Sequence, residues 1–600
     1  MKSSNTHTFH IPVLGTGFSI DSPIKVAKYG ISSVVSLVDD TLMEQLREHY
    51  CNKYSYEYSA IGAGEEDARA KRITAYLNML GRIVDKEFND LKNSPFETDS
   101  ELQKYFEMLP EISELKIKYN EMLFSEDKHF VKQCDKWLKD NIYSGSIDVN
   151  IMTKLDKSNY DLNGNILPAE FNDAHSALRG FANSDLHSSI IFSAGMNPKL
   201  FTYMTKFDDF YPDTDGKFIK KIIIKVSDFR SALIHGKFLA KKGLWVSEYR
   251  IESGLNCGGH AFASDGYLLG PIMEEFKNRR DELLDSNREI LAKSFLEQNK
   301  NIDVNLLNLK ITVQGGVGNF SEQKFLIRKY GVDSVGWGTP FLLVPEVMNV
   351  DDETLINLSE AKEDDLYLSD SSPLGVPFNN LRSSGKEIEK EEKIILGKAG
   401  SSCPKKFLIS NTEFSDKPIC TASLGYINKK TDEFNKTNVA GNNFQSFYKD
   451  LGKKSCLCVG LAASTLKTKN IESKYSGAVA VCPGPNMAYF SKIVTLKEMV
   501  DHIYGKINLI TRSDRPNMFL KELMLYIDYF SKKLDESSEN VTNQSQDYLD
   551  KFYNNLQDGI TYYKNLIPEI LEEKEIMREQ MLEDLLVLEN KLLNLALKPA

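Results

Sequence analysis

Eight short apolar runs, alternating with helix-patterned segments, constrain this 600-residue chain more than any other feature. They are Ile11 to Leu14, Ser33 to Val38, Ile147 to Met152, Ser189 to Ser193, Ile222 to Val226, Leu244 to Ile251, Lys310 to Val313 and Ser334 to Trp337. Short runs of this kind, bounded by turn residues, read as buried strands. Strands separated by helical stretches read as parallel. Several runs end in Gly, Ser, Asn or Asp, where a barrel places its functional loops. The expected fold is α/β, a (β/α)8 TIM barrel. An open doubly wound sheet fits the same count.

The runs are unevenly spaced, which predicts elaborations. Between the second and third, Ile73, Leu77, Leu80 and Val84 recur at three- and four-residue intervals, and a similar pattern continues from Leu102 to Leu123. This predicts a helical insertion over 40–142, with the barrel built from 1–39 and 143–344. Pro271 to Gln298 reads as a barrel helix with an extension. Residues 345–510 change character, with Gly/Pro/Ser-rich loops and an apparent strand-to-helix unit from Ser476 to Tyr504. They are expected to form a post-barrel α+β lobe. The charged stretch Lys386 to Lys393 is a solvated linker or helix face. Residues 511–600 read as a helical C-terminal tail. There Met577, Met581, Leu585, Leu588, Leu592 and Leu595 make an apolar stripe, either packed on its own domain or forming a dimer face.

Composition narrows the class. Hydrophobic residues are 41% and charged residues 26%, which is ordinary for a globular chain and argues against disorder. The net charge of −11 provides no basic footprint for nucleic acid or an anionic membrane. No run approaches the ~20 apolar residues of a membrane span. Met1 to His10 is polar and lacks the apolar core of a signal peptide. Eight cysteines in 600 residues are not a disulfide scaffold. The expectation is a cytoplasmic protein with reduced thiols.

Three motifs carry chemistry. Gln314-Gly315-Gly316-Val317-Gly318 follows the seventh run and precedes a helix. Glycines let backbone amides approach an anion, and the helix N-terminus adds a favourable dipole. One β-α unit later stands Gly336-Trp337-Gly338-Thr339-Pro340-Phe341. Glycine-bearing ends on consecutive late strands form a recurrent phosphate site in barrels. Trp337 is read as packing. The third motif, Ser253-Gly254-Leu255-Asn256-Cys257-Gly258-Gly259-His260, follows the sixth run. It places His260 on a closely approachable turn suited to general acid/base work.

Other residues keep more than one reading. Lys225 either points into the barrel mouth or lies at a solvent-facing strand end. Asp265 orients a substrate or caps the next helix. Five cysteines (Cys403, Cys420, Cys456, Cys458, Cys482) cluster in sequence. They are buried thiols, or they complete a metal or iron–sulfur site. The single residue between Cys456 and Cys458 departs from the usual two-residue metal spacing. Disulfides are disfavoured by the expected compartment.

With these motifs in this order, the chain resembles the nitronate monooxygenase (2-nitropropane dioxygenase-like) flavoproteins. Relatives of that family include flavin-dependent enoyl-acyl-carrier-protein reductases and the enoyl reductase components of polyunsaturated fatty acid and polyketide pathways. The family's Ala-Gly-Gly-His is similar to Cys257-Gly258-Gly259-His260, its Gly-Gly-Ile to Gly315-Gly316-Val317, and its Gly-Thr-x-Phe to Gly338-Thr339-Pro340-Phe341. Asp148-Val149-Asn150 stands for its Gly-Val-Asn. Leu374-Gly375-Val376-Pro377 through Arg382 resembles a Gly-x-Pro-x-Arg segment, and the cysteine region through Glu498 resembles that of some bacterial members. The likeness spans about 10–510, interrupted by the insertion, and leaves out the tail.

The resemblance implies FMN across the C-terminal mouth of the barrel. The amides of Gly315, Gly316, Gly338 and Thr339 would hold its phosphate, and Gly15, Thr16 and Asn150 would flank its ring. Lys225 would face the flavin or its phosphate. Gly258 and Gly259 would carry His260 to the substrate as acid/base, and no metal is called for. Two departures leave the reaction open. Leu14-Gly15-Thr16-Gly17 replaces a common Ala-Pro-Met, and Ser253 and Asn256 stand where many members have Gln and Glu. The expected activity is an FMN-dependent oxidoreductase resembling nitronate monooxygenase, acting on a small-molecule or acyl-type substrate. One alternative is an enoyl reductase using NAD(P)H as a transient reductant. Another is a non-catalytic flavin-fold subunit or docking protein. The insertion and tail are candidate surfaces for a homodimer or a carrier protein.

Overall fold

The computed structural model describes residues 6–597 except 162, 264, 438–443 and 539–542. Eight parallel strands form one sheet: β1 (Phe9–His10), β2 (Ser33–Ser36), β3 (Ile147–Ile151), β4 (Ser188–Phe192), β5 (Lys220–Val226), β6 (Val246–Glu252), β7 (Lys310–Gln314) and β8 (Ser334–Gly336). They pair in the order β1-β8-β7-β6-β5-β4-β3-β2. Ile11 then bridges to Ser33, and its N–H donates to Ser32 O at 2.9 Å. That contact joins the two ends, so the sheet is a (β/α)8 barrel and not an open doubly wound sheet.

Side-chain alternation explains why these runs become barrel strands. On β5, Ile222 and Ile224 face the helical shell and join the main core, while Ile223 meets Val34 and Ile191 in a separate cluster inside the barrel. The rest of the lumen is polar. Arg250 Nη2 donates to Glu248 at 2.7 Å, Thr312 Oγ1 to Glu248 at 2.6 Å, and His10 Nδ1 pairs with Ser334 Oγ at 3.0 Å. This lumen shifts the first strand. The apolar run begins at Ile11, but β1 is Phe9–His10, because a polar interior accepts His10 between the outward-facing Phe9 and Ile11.

The interval between β2 and β3 holds the helices Asp40–Tyr54, Ala68–Asn93, Glu101–Glu107, Glu114–Leu123 and Lys128–Asn141. The second of these packs against Asp173–Ala182, the helix after β3. Thr74 Oγ1 donates to Gly180 O at 2.8 Å across that contact. The helical stretch after β6 breaks at Arg279 into Leu269–Asn278 and Arg280–Glu297.

After β8 an antiparallel pair, β9 (Leu366–Ser369) and β10 (Phe378–Leu381), lies beside helices. The charged stretch forms the helix Gly385–Ile395. Gly477 to Val481, expected as a strand, is irregular and lies along the helix Leu457–Thr468, with Ala480 N–H donating to Gly460 O at 3.0 Å. The following helix, Leu496–Ile503, starts at a Thr495/Glu498 capping box.

The tail forms the helices Met518–Ser538, Asn543–Leu566 and Glu575–Ala596. Met581, Leu585, Leu588, Leu592 and Leu595 are buried where the last helix packs on the other two, while Met577 is largely exposed. Among the described residues, no helix is long and apolar enough to cross a membrane.

Candidate functional site

The C-terminal ends of the strands open into a cavity enclosing about 1550 Å³ including its mouth. All eleven residues singled out from the sequence line it: Gly15, Thr16, Asn150, Lys225, Gly258, Gly259, His260, Gly315, Gly316, Gly338 and Thr339. Asp265 does not. It pairs with Lys551 of the tail at 2.6 Å.

The turn after β7 explains two of its glycines. Gly315 and Gly316 have φ of +119° and +80°, a region that disfavours side chains. A Cβ on Gly316 would also fall 2.1 Å from Asn256 Nδ2, so the β6 and β7 loops abut only with glycine here. The N–H groups of Gly316, Val317, Gly338 and Thr339 make no hydrogen bond among the described residues. Trp337, between the two motifs, is buried and donates to Gln323 Oε1 at 2.6 Å, the packing role expected of it.

Further donors and acceptors point into the same space. Thr16 Oγ1, Asn150 Oδ1, Asn256 Oδ1 and Gln314 Oε1 are buried without a partner. Unsatisfied buried polar atoms are costly, and a cluster of them around one cavity marks a ligand site. Free backbone amides at two consecutive strand ends, with orphaned Thr, Asn and Gln groups beside them, fit a ligand with an anionic end and a polar ring such as FMN.

Lys225 resolves to the inward reading. Its Nζ lies 3.0 Å from Glu252 Oε2, and Glu252 Oε1 accepts from Gln314 Nε2 at 2.6 Å. This charge-balanced cluster lies at the ends of β5, β6 and β7. Sequence reading gave no role to Glu252, which directly precedes one quoted motif, or to Gln314, which opens another.

His260 sits on a loop clamped by the post-barrel lobe. Ala261 N–H donates to Pro377 O at 2.9 Å, Asn379 N–H to Gly259 O at 2.9 Å, and Asn379 Nδ2 to Cys257 O at 2.8 Å. The imidazole stands edge-on to Phe378 with ring centres 5.0 Å apart, and its Nε2 is 2.7 Å from Ser372 Oγ. Burial, and then the nearby Lys225 charge, lower its pKa to about 4. The ring is therefore neutral at physiological pH. No sequence signal marked Ser372, which lies more than a hundred positions away.

The lobe also walls the cavity with Phe407, Leu408, Leu457 and Leu461. All eight cysteines are free thiols, and Cys257, Cys458 and Cys482 line the cavity. Burial raises the Cys482 and Cys458 thiols to about 12, so they stay protonated. The Cys403 and Cys420 thiols contact one another in a small cluster with Ala422. Among the described residues, no group of three or more His, Cys, Asp or Glu is arranged to hold a metal ion.

No protein-family model matches the chain, and no curated protein matches it. Solved structures do. A FabK point mutant from Thermotoga maritima is 12% identical with a TM-score of 0.29, over 63% of this chain and 79% of that one. The enoyl reductase domain of MlnA from the macrolactin biosynthesis cluster of Bacillus amyloliquefaciens is 13% identical with a TM-score of 0.32, over 63% and 85%. Nitroalkane oxidase from Streptomyces ansochromogenes is 10% identical with a TM-score of 0.33, over 84% and 97%. Similarity this distant decides nothing about the reaction; the strand order and the cavity's own residues carry the fold and the candidate site.

Proposed function

We propose that this chain is an FMN-dependent oxidoreductase resembling the nitronate monooxygenases. One observation carries the reading: free amides at the β7 and β8 ends share a cavity with unpartnered Thr16, Asn150 and Gln314 groups and with His260. FMN, when bound, supplies the electron chemistry. The backbone at Gly315, Gly316, Gly338 and Thr339 would hold its phosphate, and Gly15, Thr16, Asn150 and Gln314 would meet its ring. Lys225, already paired with Glu252, adds polarity without a bare charge. The neutral His260 is poised to accept a proton from the substrate, with its ring direction fixed by Ser372 and Phe378. Phe407, Leu408, Leu457 and Leu461 keep water from that side. We read the protein as cytoplasmic with reduced thiols.

Purified protein given FMN is expected to bind it and show flavin absorbance near ~450 nm. A colourless protein that leaves added FMN fluorescence unchanged sinks the reading. A His260→Ala variant should keep FMN and lose about 10²- to 10⁴-fold in turnover. Unchanged turnover removes the histidine from the chemistry.

The apolar wall favours a second reading, an enoyl reductase using NAD(P)H on an acyl-type substrate. Anaerobic bleaching of the flavin by NAD(P)H alone selects the reductase. Bleaching by an alkyl nitronate without nicotinamide selects the monooxygenase-like reaction. A flavin reduced by neither marks a non-catalytic subunit.

A further inference from the structure

Three carbonyl oxygens of the glycine loop after β7, those of Gly316, Val317 and Gly318, are held from outside the barrel. Arg515 Nη2 donates to Gly316 O at 2.9 Å, Asn486 Nδ2 to Val317 O at 2.9 Å, and His502 Nε2 lies 2.9 Å from Gly318 O. A peptide N–H points opposite the C=O of the same unit. Holding Gly316 O outward therefore turns the unbonded Val317 N–H the other way, toward the cavity that Val317 lines.

Arg515 organises this grip. Its Nε donates to Asn486 Oδ1 at 2.8 Å, and its Nη1 and Nη2 reach Glu322 Oε1 and Oε2 at 2.8 and 2.9 Å. Glu322 also accepts from Gly318 N–H and Met518 N–H, each at 2.8 Å. The ion pair is almost fully buried, with side-chain exposures of 6% and 2%. Gly318 makes room for it, since a Cβ there would lie 2.5 Å from Arg515 Nη2. Without a cation, Glu322 would be a buried negative charge beside the free amides and would repel an anion. The planar guanidinium bonds the carbonyl, the amide and the carboxylate at once, which an ammonium cannot do.

We propose that Arg515 is a positioning residue for the anion end of the cavity. It fixes the amide direction of the loop from Gly315 to Gly318 and neutralises Glu322, which makes the start of the tail part of the ligand site. The proposal rests on the flavin reading for the identity of the anion, but not for the loop geometry.

The test compares wild type, Arg515→Lys and Arg515→Ala/Glu322→Gln, titrated with FMN and with riboflavin by fluorescence. Arg515→Lys keeps the charge and loses the fork; the double variant removes the buried charge altogether. Both should lose about tenfold or more in FMN affinity while binding riboflavin as wild type does, so the FMN-to-riboflavin preference collapses. An unchanged preference overturns the proposal. Hydrogen exchange of flavin-free protein supplies the independent arm. Exchange across 315–320 should quicken about tenfold in Arg515→Lys, with β7 unaffected, and unchanged exchange there also overturns it. A wild type that binds neither flavin while its variants show the faster exchange refutes the flavin reading and leaves the loop-positioning role standing.

Discussion

His260 shows how neighbours set the chemistry of a single side chain. A histidine in water titrates near ~6.5, but here burial and then the Lys225 charge lower it to about 4. An activity that needs the neutral ring should persist through mild acid and fall only as pH approaches about 4. Between 6.5 and about 4 the unfolded chain takes up a proton that the folded one refuses, so this residue makes stability decrease as pH falls through that window. Lys225→Met removes the cation and leaves Glu252 unpaired, and both changes favour the imidazolium. The His260 pKa, followed by its ring-proton NMR signal, should move up; a value that stays put removes Lys225 as a cause. The motif made His260 legible in the sequence, but its neutral state was not. Ser372 and Phe378 come from the β9–β10 hairpin and Lys225 from the end of β5, two segments remote from the motif in sequence.

The helix Met518–Ser538 brings a buried acid to the histidine loop. Glu522 is 1% exposed. Its carboxylate accepts from Ser253 Oγ at 2.5 Å and from Leu269 N–H at 2.8 Å, and Ser253 Oγ in turn accepts from Asn256 N–H at 3.2 Å. Burial raises its pKa to about 7. The folded chain thus holds a proton that the unfolded chain gives up between 4.5 and about 7. Stability from this group is full below 4.5 and is lost as pH rises through about 7. Glu522→Gln keeps the shape without the charge: its oxygen can accept from Leu269 N–H, and its amide donates to Ser253 Oγ, reversing that bond. It should stabilise the protein by about 1–3 kcal/mol at pH 8 and hardly at all at pH 4. Equal melting-temperature shifts at the two pH values would contradict this. Ser253, which stands where the resembled family often has Gln, finds its polar partner on a helix 269 positions downstream.

Across the whole molecule, the tail and the barrel share one core. Met518, Leu520, Leu523, Tyr526, Ile527 and Phe530 are buried in the main hydrophobic cluster, together with Tyr563 and Leu585. Each large buried side chain contributes roughly 1.5–3 kcal/mol, so exposing that face outweighs a typical net stability of about 5–15 kcal/mol. A chain truncated after residue 512 should be recovered as aggregate or, if soluble, lack cooperative unfolding and FMN binding. A monomeric truncated protein with wild-type melting and flavin affinity would show that the tail is dispensable.

The sequence by itself determined the strand runs, their parallel order and the three glycine-bearing strand ends. Each of these depends on local residue pattern: apolar periodicity for the strands, and turns that only glycine tolerates for the loops. The tertiary structure decided the rest of the site. It placed His10 in a polar lumen and moved the first strand back by two residues. It also joined Glu252 to Lys225, set Ser372 against His260, and brought Arg515 and Glu522 onto the glycine and histidine loops. These pairings link residues far apart in the chain, and their stabilisation comes from hydrogen bonds and charge pairs protected by burial. Burial is a property of the folded surface, which a linear pattern does not contain.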